Sequence, residues 1–149
     1  MNGLRAIIVD DEQRARDVLS KLLERNCSNV VVEETCVDVL SAVEKIKKIQ
    51  PDVVFLDVQM PNYAGYELVN FFDEINFEII FVTAFDHYAI KAFELSAIDY
   101  LVKPVDRLRL VEAVNKVKLK KGQEKSKEAY EELLNSIKEK EFKKIVIPE

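Results

Sequence analysis

Glycine, proline, cysteine and histidine are all scarce in this sequence of 149 residues. Three glycines and four prolines, together with a hydrophobic share of 48%, exclude a collagen-like, low-complexity or disordered chain. Cys27 and Cys36 lie nine positions apart, which matches no metal or redox spacing, so we expect reduced thiols in ordinary packing positions. A single histidine, His87, leaves little material for a histidine-rich zinc site or a Ser-His-Asp triad.

Apolar runs of membrane-spanning length are also missing. Runs such as Ala6–Val9 and Ile79–Val82 are only as long as a strand, which excludes a transmembrane helix. The first apolar run leads directly into the acidic residues Asp10, Asp11 and Glu12, which excludes a signal peptide. We therefore expect a cytoplasmic protein that makes no membrane contact.

Charge is distributed unevenly along the chain. Residues 1–115 carry 12 Lys and Arg against 20 Asp and Glu, a net charge of −8. Residues 116–149 carry 10 against 7, a net charge of +3. An acidic body with a mildly basic tail is a poor binder of nucleic acid by itself. The tail is typical of a solvated helical linker.

Strand and helix patterns alternate regularly as far as Lys120. Five apolar or β-branched runs predict strands at Leu4–Asp10, Val30–Cys36, Val53–Asp57, Glu78–Thr83 and Ile98–Val102. Between and after them, apolar residues at helical spacing predict five helices, with N-caps at Asp38, Asp86 and Asp106 and a face after Gly65 that extends to Ile75. Strict alternation predicts an α/β fold, in which helices cover both faces of a parallel sheet through right-handed crossovers.

The residues after Lys120 have a different character. Gly122 interrupts the pattern, and a charged stretch follows that carries one apolar helical stripe, Tyr130, Leu133, Leu134 and Ile137. Phe142–Ile147 then predicts a strand with no partner in the sequence, and a lone strand cannot bury itself. Such a strand either pairs with the edge of the domain or is the first strand of a module that this chain does not contain, and we favour the second interpretation.

Polar side chains follow four of the five predicted strands. The first strand ends at Asp10 and Asp11, the third at Asp57 and the fourth at Thr83, and the fifth leads into Lys103. Because ligands of open parallel sheets bind beyond the carboxyl ends of the strands, we expect these side chains to line one site.

The charges of this site indicate a metal ion and a phosphoryl group. Two carboxylates about 4 Å apart repel by roughly 4 kcal/mol at an effective dielectric constant of about 20, and Lys103 supplies only one positive charge. Mg²⁺ prefers oxygen ligands and bridges to phosphate. A carboxylate beside Mg²⁺, a lysine and a hydroxyl group is a competent phosphoryl acceptor. Asp57 is the best candidate nucleophile, because it stands alone at the end of the central strand.

Four motifs at the strand ends carry a family resemblance. They are Ile8-Val9-Asp10-Asp11-Glu12, Phe55-Leu56-Asp57-Val58-Gln59-Met60-Pro61 with Gly65, Val82-Thr83-Ala84, and Tyr100-Leu101-Val102-Lys103-Pro104. With them, residues 4–120 resemble the receiver domain of two-component response regulators. The resemblance implies a flavodoxin-like (βα)5 fold, a doubly wound parallel sheet of five strands in the order 2-1-3-4-5.

The resemblance also implies a function for the site. Asp57 would take a phosphoryl group from the phosphohistidine of a sensor histidine kinase. The chain would then be a signalling switch rather than an enzyme, although it would catalyse its own phosphorylation and dephosphorylation. By the same resemblance, Mg²⁺ is held by Asp10, Asp11, Asp57 and the backbone carbonyl of Gln59.

The resemblance assigns further residues to switching. Thr83 would move toward the phosphoryl group, and Tyr100 would change rotamer. The Lys103–Pro104 peptide bond would be cis. The loop Asn62-Tyr63-Ala64 departs from the commonest family pattern, and Gln59 and Phe85 leave the lifetime of the acyl phosphate undetermined.

The segment Thr83–Phe93, together with Ala97-Ile98-Asp99-Tyr100-Leu101, is similar to receivers of the LytR/AlgR type, which precede a LytTR DNA-binding domain. Residues 1–120 are therefore interpreted as the receiver domain. Residues 121–149 are interpreted as a charged helical linker with the possible first strand of the missing LytTR-type domain. DNA would be contacted only through that domain.

Phosphorylation would repack the helix between Asp86 and Leu95, the last strand and the Asp106–Lys120 helix, and this face would pair two copies into a homodimer.

Three other functions compete with the receiver interpretation. A Mg²⁺-dependent phosphohydrolase lacks its second acid, because Val58 and Gln59 follow Asp57. A flavin or dinucleotide module lacks its glycine-rich loop. A degenerate or stand-alone receiver that acts as a docking adaptor stays open.

Overall fold

Five parallel strands form one sheet in the computed structural model, which describes residues 3–85 and 96–146. The strands are β1 (Leu4–Val9), β2 (Val30–Cys36), β3 (Val53–Leu56), β4 (Glu78–Thr83) and β5 (Asp99–Val102). Their order in the sheet is β2-β1-β3-β4-β5, and every neighbouring pair is parallel. The predicted fold class and strand order are confirmed.

Helices connect or follow these strands. They are α1 (Gln13–Asn26), α2 (Val39–Ile49), a 3₁₀ helix (Gly65–Phe71) and α3 (Arg107–Val146). Asp38 caps α2 through a carboxylate oxygen that accepts from the Ser41 amide at 2.8 Å. Asp106 accepts from the amides of Leu108 and Arg109, both at 3.1 Å, at the start of α3. Two of the three predicted N-caps are thus confirmed, since each carboxylate satisfies amides that have no partner within the helix.

The sheet divides the interior into two apolar clusters. In β1, Ala6 and Ile8 belong to the cluster on the α1 and α3 side, whereas Ile7 and Val9 belong to the cluster on the α2 and 3₁₀-helix side. All four residues are at most 1% exposed. Because successive side chains of a strand point to opposite faces, an unbroken apolar strand requires helices on both sides.

The helix predicted after Gly65 is shorter and tighter than expected. It is a 3₁₀ helix that ends at Phe71, and Phe72 already has an extended backbone, whereas the predicted apolar face continued to Ile75. The ring of Phe72 packs edge-to-face against Phe77 with a centroid distance of 5.3 Å, and Ile75 is 40% exposed. Packing of Phe72 on the residue before β4 turns the chain out of the helix before Ile75 can join its face.

The strand predicted at Phe142–Ile147 is wrong for its described part, because α3 continues through Val146. An isolated strand leaves its backbone N–H and C=O groups without ladder partners, whereas a continued helix pairs them internally. Gly122 also lies inside this helix, and nothing surrounds the position that a Cβ atom would take there. One glycine costs a helix only about 0.5–1 kcal/mol, so it did not end α3.

The helix predicted from Asp86, with His87, lies outside the described residues, as does Ile147. The chain divides into two units, Met1–Val117 and Lys118–Glu149. None of the described helices is both long and apolar enough to cross a membrane.

Candidate functional site

Two buried carboxylates lie at the carboxyl ends of neighbouring strands. Val9 at the end of β1 pairs with Leu56 at the end of β3, so Asp10 and Asp57 leave the sheet side by side. The Asp57 amide donates to the Val9 carbonyl at 3.0 Å, and the Asp10 amide donates to the Cys36 carbonyl at 3.0 Å. Asp10 is 5% exposed and Asp57 is 6% exposed. The convergence predicted for these two acids is present.

The ammonium group of Lys103 lies between the two carboxylates. Its Nζ atom is 2.7 Å from Asp10 Oδ2 and 3.5 Å from Asp57 Oδ2. Burial alone would lower the pKa of Lys103, but the hydrogen bond to Asp10 and the charge of Asp57 outweigh burial and raise it. The lysine therefore stays charged, and one cation serves two anions.

Backbone contacts fix the direction of Lys103. Its amide donates to the Thr83 carbonyl at 2.7 Å, beside the pairing of Thr83 in β4 with Val102 in β5. The peptide bond from Lys103 to Pro104 is cis.

The carboxyl group of Asp57 has an unusual balance of surroundings. Burial is the main cause that raises its pKa, and the charge of Asp10 adds to it. Hydrogen bonds from Thr83 and from the Val58 amide, together with the charge of Lys103, lower the pKa but do not cancel the rise. The Val58 amide donates to Asp57 Oδ1 at 2.7 Å. Ionised Asp57 is thus short of positive charge, and a further cation would stabilise it.

Three acidic side chains form a group of oxygen donors beside this pair. Oxygens of Asp10, Asp11 and Glu12 lie within 4.8 Å of one another, with Asp10 buried and the other two exposed. The Glu12 amide donates to Asp10 Oδ1 at 2.9 Å, which fixes that carboxylate. Asp57 is not a member of this group and is linked to it through Lys103. Oxygen donors of this kind fit Mg²⁺.

A cleft of about 440 Å³ opens next to these acids. Asp11 and the exposed Gln59 both line it, together with Met60, Pro61 and Ala64. Of the residues predicted to hold a metal, Asp11 and Gln59 therefore share one surface, which is continuous in sequence with the buried Asp10 and Asp57. The cleft gives solvent and small solutes a path to Asp11.

Gly65 keeps the loop after β3 close to Asp57. Its amide donates to the Val58 carbonyl at 2.7 Å. A Cβ atom at this position would lie 1.9 Å from the Asp57 carbonyl oxygen, which no side chain can satisfy without a shift of the backbone. The sequence marked Gly65 as part of a motif, but this close approach is visible only in the folded chain.

Thr83 and Tyr100 are connected through one backbone segment. Thr83 is fully buried, and its Oγ1 accepts from the Phe85 amide at 3.5 Å. The Tyr100 hydroxyl donates to the Phe85 carbonyl, and the Tyr100 ring packs on Phe81 with a centroid distance of 6.1 Å. Thr83 and Tyr100 therefore both contact the backbone of Phe85.

Two contacts at the site escaped the sequence patterns. Glu12 joins the acidic group, although the sequence marks it only as part of a motif. Arg16 donates from Nη1 to the Asp10 carbonyl at 2.8 Å. The available signal was helical spacing, because Arg16 lies four residues after Glu12 on the first turns of α1.

Comparisons with known proteins agree on one family. The family model for the response regulator receiver domain matches residues 6–115. The chain is 41% identical over 121 residues to the sensory transduction protein LytT of Bacillus anthracis, covering 79% of this chain and 48% of LytT. It is 43% identical over 126 residues to the transcriptional regulatory protein BtsR of Salmonella typhi, covering 84% of this chain and 51% of BtsR.

A solved structure supports the same relationship. The REC domain of AraT, a response regulator from Geobacillus stearothermophilus, is 34% identical and superposes with a TM-score of 0.74, over 83% of this chain and 99% of that domain. The present chain spans about half the length of the curated relatives it matches.

Proposed function

Because the chain belongs to the response regulator receiver domain family, we propose that it accepts a phosphoryl group on Asp57 from the phosphohistidine of a sensor histidine kinase. One observation carries this proposal. Asp57 is 6% exposed, shares the single ammonium of Lys103 with Asp10, and has a raised pKa caused mainly by burial. An ionised carboxylate in such surroundings is stabilised by nearby cations and by bonding to an electrophile such as phosphorus.

The proposed transfer forms one bond and breaks one. A carboxylate oxygen of Asp57 attacks phosphorus, and the bond from phosphorus to the imidazole nitrogen breaks, with its electron pair staying on that nitrogen. Lys103 Nζ, 3.5 Å from Asp57 Oδ2, is within reach of the oxygens of the arriving group. The Thr83 hydroxyl, which hydrogen-bonds Asp57, donates to another of these oxygens.

The side chains of Asp10, Asp11 and Asp57 and the Gln59 carbonyl are the proposed ligands of Mg²⁺. The oxygen-donor set fits this ion, and Asp11 and Gln59 line the open cleft beside it. When bound, Mg²⁺ neutralises charge on the phosphoryl oxygens. Glu12 enters the same acidic group and supplies a further anionic contact for a hydrated ion.

We propose that phosphorylation is read out through Thr83 and Tyr100. Thr83 moves toward the phosphoryl group, which changes its contact with the Phe85 amide, and Tyr100 changes rotamer because its hydroxyl is bonded to the Phe85 carbonyl. The exposed side chains Val102 of β5 and Leu108 of α3 belong to the face that would then pair two copies into a homodimer.

The proposed output is a DNA-binding domain in a longer chain that works in the cytoplasm. Residues 1–120 are the receiver and residues 121–149 are a charged linker, within which the described residues are helical. The names of two relatives support this assignment, since LytT is a sensory transduction protein and BtsR is a transcriptional regulatory protein.

Intact-mass measurement after incubation with Mg²⁺ and acetyl phosphate tests the proposal. We expect one phosphoryl adduct that requires Mg²⁺ and is absent from Asp57→Asn. Asp73→Asn is the matched control, because it makes the same chemical change at an exposed position. We expect the control to be phosphorylated like the unmodified chain.

Two results would contradict the proposal. An adduct that persists in Asp57→Asn would move the acceptor to another residue. A folded protein that forms no adduct with acetyl phosphate or with a phosphorylated histidine kinase would instead indicate a degenerate receiver that acts as a docking adaptor.

A further inference from the structure

An apolar stripe on the second unit, Lys118–Glu149, has no partner in the described residues. Tyr130, Leu133 and Ile137 are 62%, 58% and 45% exposed although they lie in the middle of α3. Spacings of three and four residues place them on one face of the helix, and Leu134 borders it. The side chains at Leu110, Val114 and Val117, earlier in the same helix, are buried.

Uncharged residues continue the pattern toward the start of this unit with heptad spacing. With Tyr130 and Ile137 at positions a, the a and d positions of the heptad between residues 118 and 138 are Leu119, Gln123, Ser126, Tyr130, Leu133 and Ile137. None of the six is charged, whereas ten of the other fifteen residues in this range are. An uncharged seam in so highly charged a segment is typical of a coiled-coil interface rather than of a solvated linker.

The lack of charge at the a and d positions argues against a partner that binds through charge. The four acidic residues of 118–138 lie at outer positions b, c and f, namely Glu124, Glu128, Glu131 and Glu132. The six lysines of the same range lie at positions b, c, e and f, so a phosphate, a nucleic acid or a lipid headgroup would meet no cationic side chain at the centre of the stripe, where Tyr130 and Leu133 lie. The stripe fits an equally uncharged helix.

A second copy of this chain provides such a helix with compatible flanks. In a parallel pair, each g position faces the following e position of the other helix, which gives Gly122 with Lys127 and Ala129 with Leu134. Neither pair brings like charges together. A two-fold axis also matches each a or d residue with its own copy, so that one uncharged seam suffices for both partners.

We propose that residues 119–137 pair with the same segment of a second copy as a parallel two-stranded coiled coil. This pairing uses the linker rather than the receiver face, and it is independent of phosphorylation. About three heptads give a seam roughly 28 Å long, so we expect reversible, concentration-dependent association rather than a permanent dimer.

Sedimentation equilibrium of the full chain, without a phosphodonor and across a wide concentration range, tests the pairing. We expect a monomer–dimer equilibrium whose Kd rises at least about tenfold in Ile137→Glu. Asn135→Glu, which adds the same charge at the outer f position, is the control and is expected to leave Kd within about twofold. A monomer at every concentration, or a dimer unaffected by Ile137→Glu, would overturn the proposal.

Cysteine cross-linking tests the parallel orientation. Leu133→Cys places two thiols at the same d layer, so oxidation is expected to give a disulfide-linked dimer, whereas Asn135→Cys is expected to give little. A reversible dimer without the Leu133→Cys link would rule out the parallel arrangement. The same measurements on Asp57→Asn separate this proposal from the phosphoryl chemistry, because loss of phosphorylation is expected to leave Kd unchanged.

Discussion

Two aspartates at opposite ends of strands show how differently the chain treats a carboxylate. Asp99 begins β5 and is bound by two cations, with Arg109 Nη2 at 3.1 Å and Lys116 Nζ at 3.0 Å. Asp57 follows β3 and shares one ammonium, that of Lys103, with Asp10. Burial raises the pKa of both groups, but at Asp99 the hydrogen bonds of Lys116, the Tyr100 amide and Arg109 outweigh it and lower the pKa, whereas at Asp57 burial prevails.

The difference separates a structural carboxylate from a functional one. At Asp99 the chain itself supplies the positive charge, because Arg109 and Lys116 of α3 both donate to this carboxylate. These contacts link α3 to β5. At Asp57 the chain supplies less positive charge, so a further cation would stabilise the ionised carboxylate. This is the site that we propose for phosphoryl transfer. The variants below test this contrast by changing the surroundings or the charge of Asp57 and Asp99 and measuring the free energy of unfolding.

The largest effect is expected from Lys103→Met. It leaves the buried carboxylates of Asp10 and Asp57 without their shared cation, so without Mg²⁺ we expect the free energy of unfolding to fall by about 3 kcal/mol. Lys116→Met is the control at Asp99, where Arg109 remains and the lysine side chain is 50% exposed, and we expect a loss of at most about 1 kcal/mol. Urea denaturation in EDTA measures both, and equal losses would remove the contrast.

An intermediate effect is expected from Gly65→Ala. The new Cβ must displace the Asp57 carbonyl, so we expect a loss of about 1–3 kcal/mol in the free energy of unfolding and slower phosphorylation of Asp57. Gly122→Ala is the control, since its Cβ meets no atom within 4 Å and alanine favours a helix. A Gly65→Ala chain as stable and as reactive as the parent would show that the loop after β3 adjusts freely.

The smallest effects, about 1 kcal/mol each, are expected to have opposite signs. At pH 7 without Mg²⁺, Asp57→Asn removes a charge that burial disfavours and raises the free energy of unfolding, whereas Asp99→Asn removes a charge that two cations favour and lowers it. Urea denaturation as a function of pH measures both changes. Changes of the same sign at pH 7 would contradict the assignment of the two sites.

The pH dependence of these two variants follows from the directions of the pKa shifts. The pKa of Asp99 is lowered in the folded chain, so its stabilisation is present above the ordinary value of 3.8 and is lost as pH falls through the lowered pKa. The loss in the free energy of unfolding caused by Asp99→Asn is therefore expected to disappear below the lowered pKa of Asp99. The pKa of Asp57 is raised, so the gain of Asp57→Asn appears as pH rises through that pKa and is absent below 3.8.

Most of the fold could be predicted from periodicity and caps. The boundaries of β2 and β4 and the start of α2 agree with the predicted ones, because apolar runs and the Asp38 cap act over a few neighbouring residues. The 3₁₀ helix after Gly65 could not be predicted, because its end depends on Phe72 packing against Phe77. The terminal strand was predicted wrongly, because β-branched residues favour a strand only where another strand is available to pair.

The residues of the candidate site could be predicted from the sequence, but the contacts between them could not. Thr83 ends a strand and Asp10, Asp57 and Lys103 each follow one, so the common direction of parallel strands brings them to one edge. The distances that distinguish Lys103 as a bridge between Asp10 and Asp57 join residues 93 and 46 positions apart. The roles of Glu12 and Arg16 likewise depend on how α1 starts after β1.

The sequence by itself determined the order of the elements, the parallel sheet and the residues that reach its carboxyl edge, because these follow from local periodicity and from the alternation of strand and helix. Only the tertiary structure decided which carboxylate is paired with two cations and which one shares a single cation. Asp57 and Asp99 are both aspartates next to a strand, and their pKa values move in opposite directions because burial and the number of nearby cations depend on residues that the fold alone brings together.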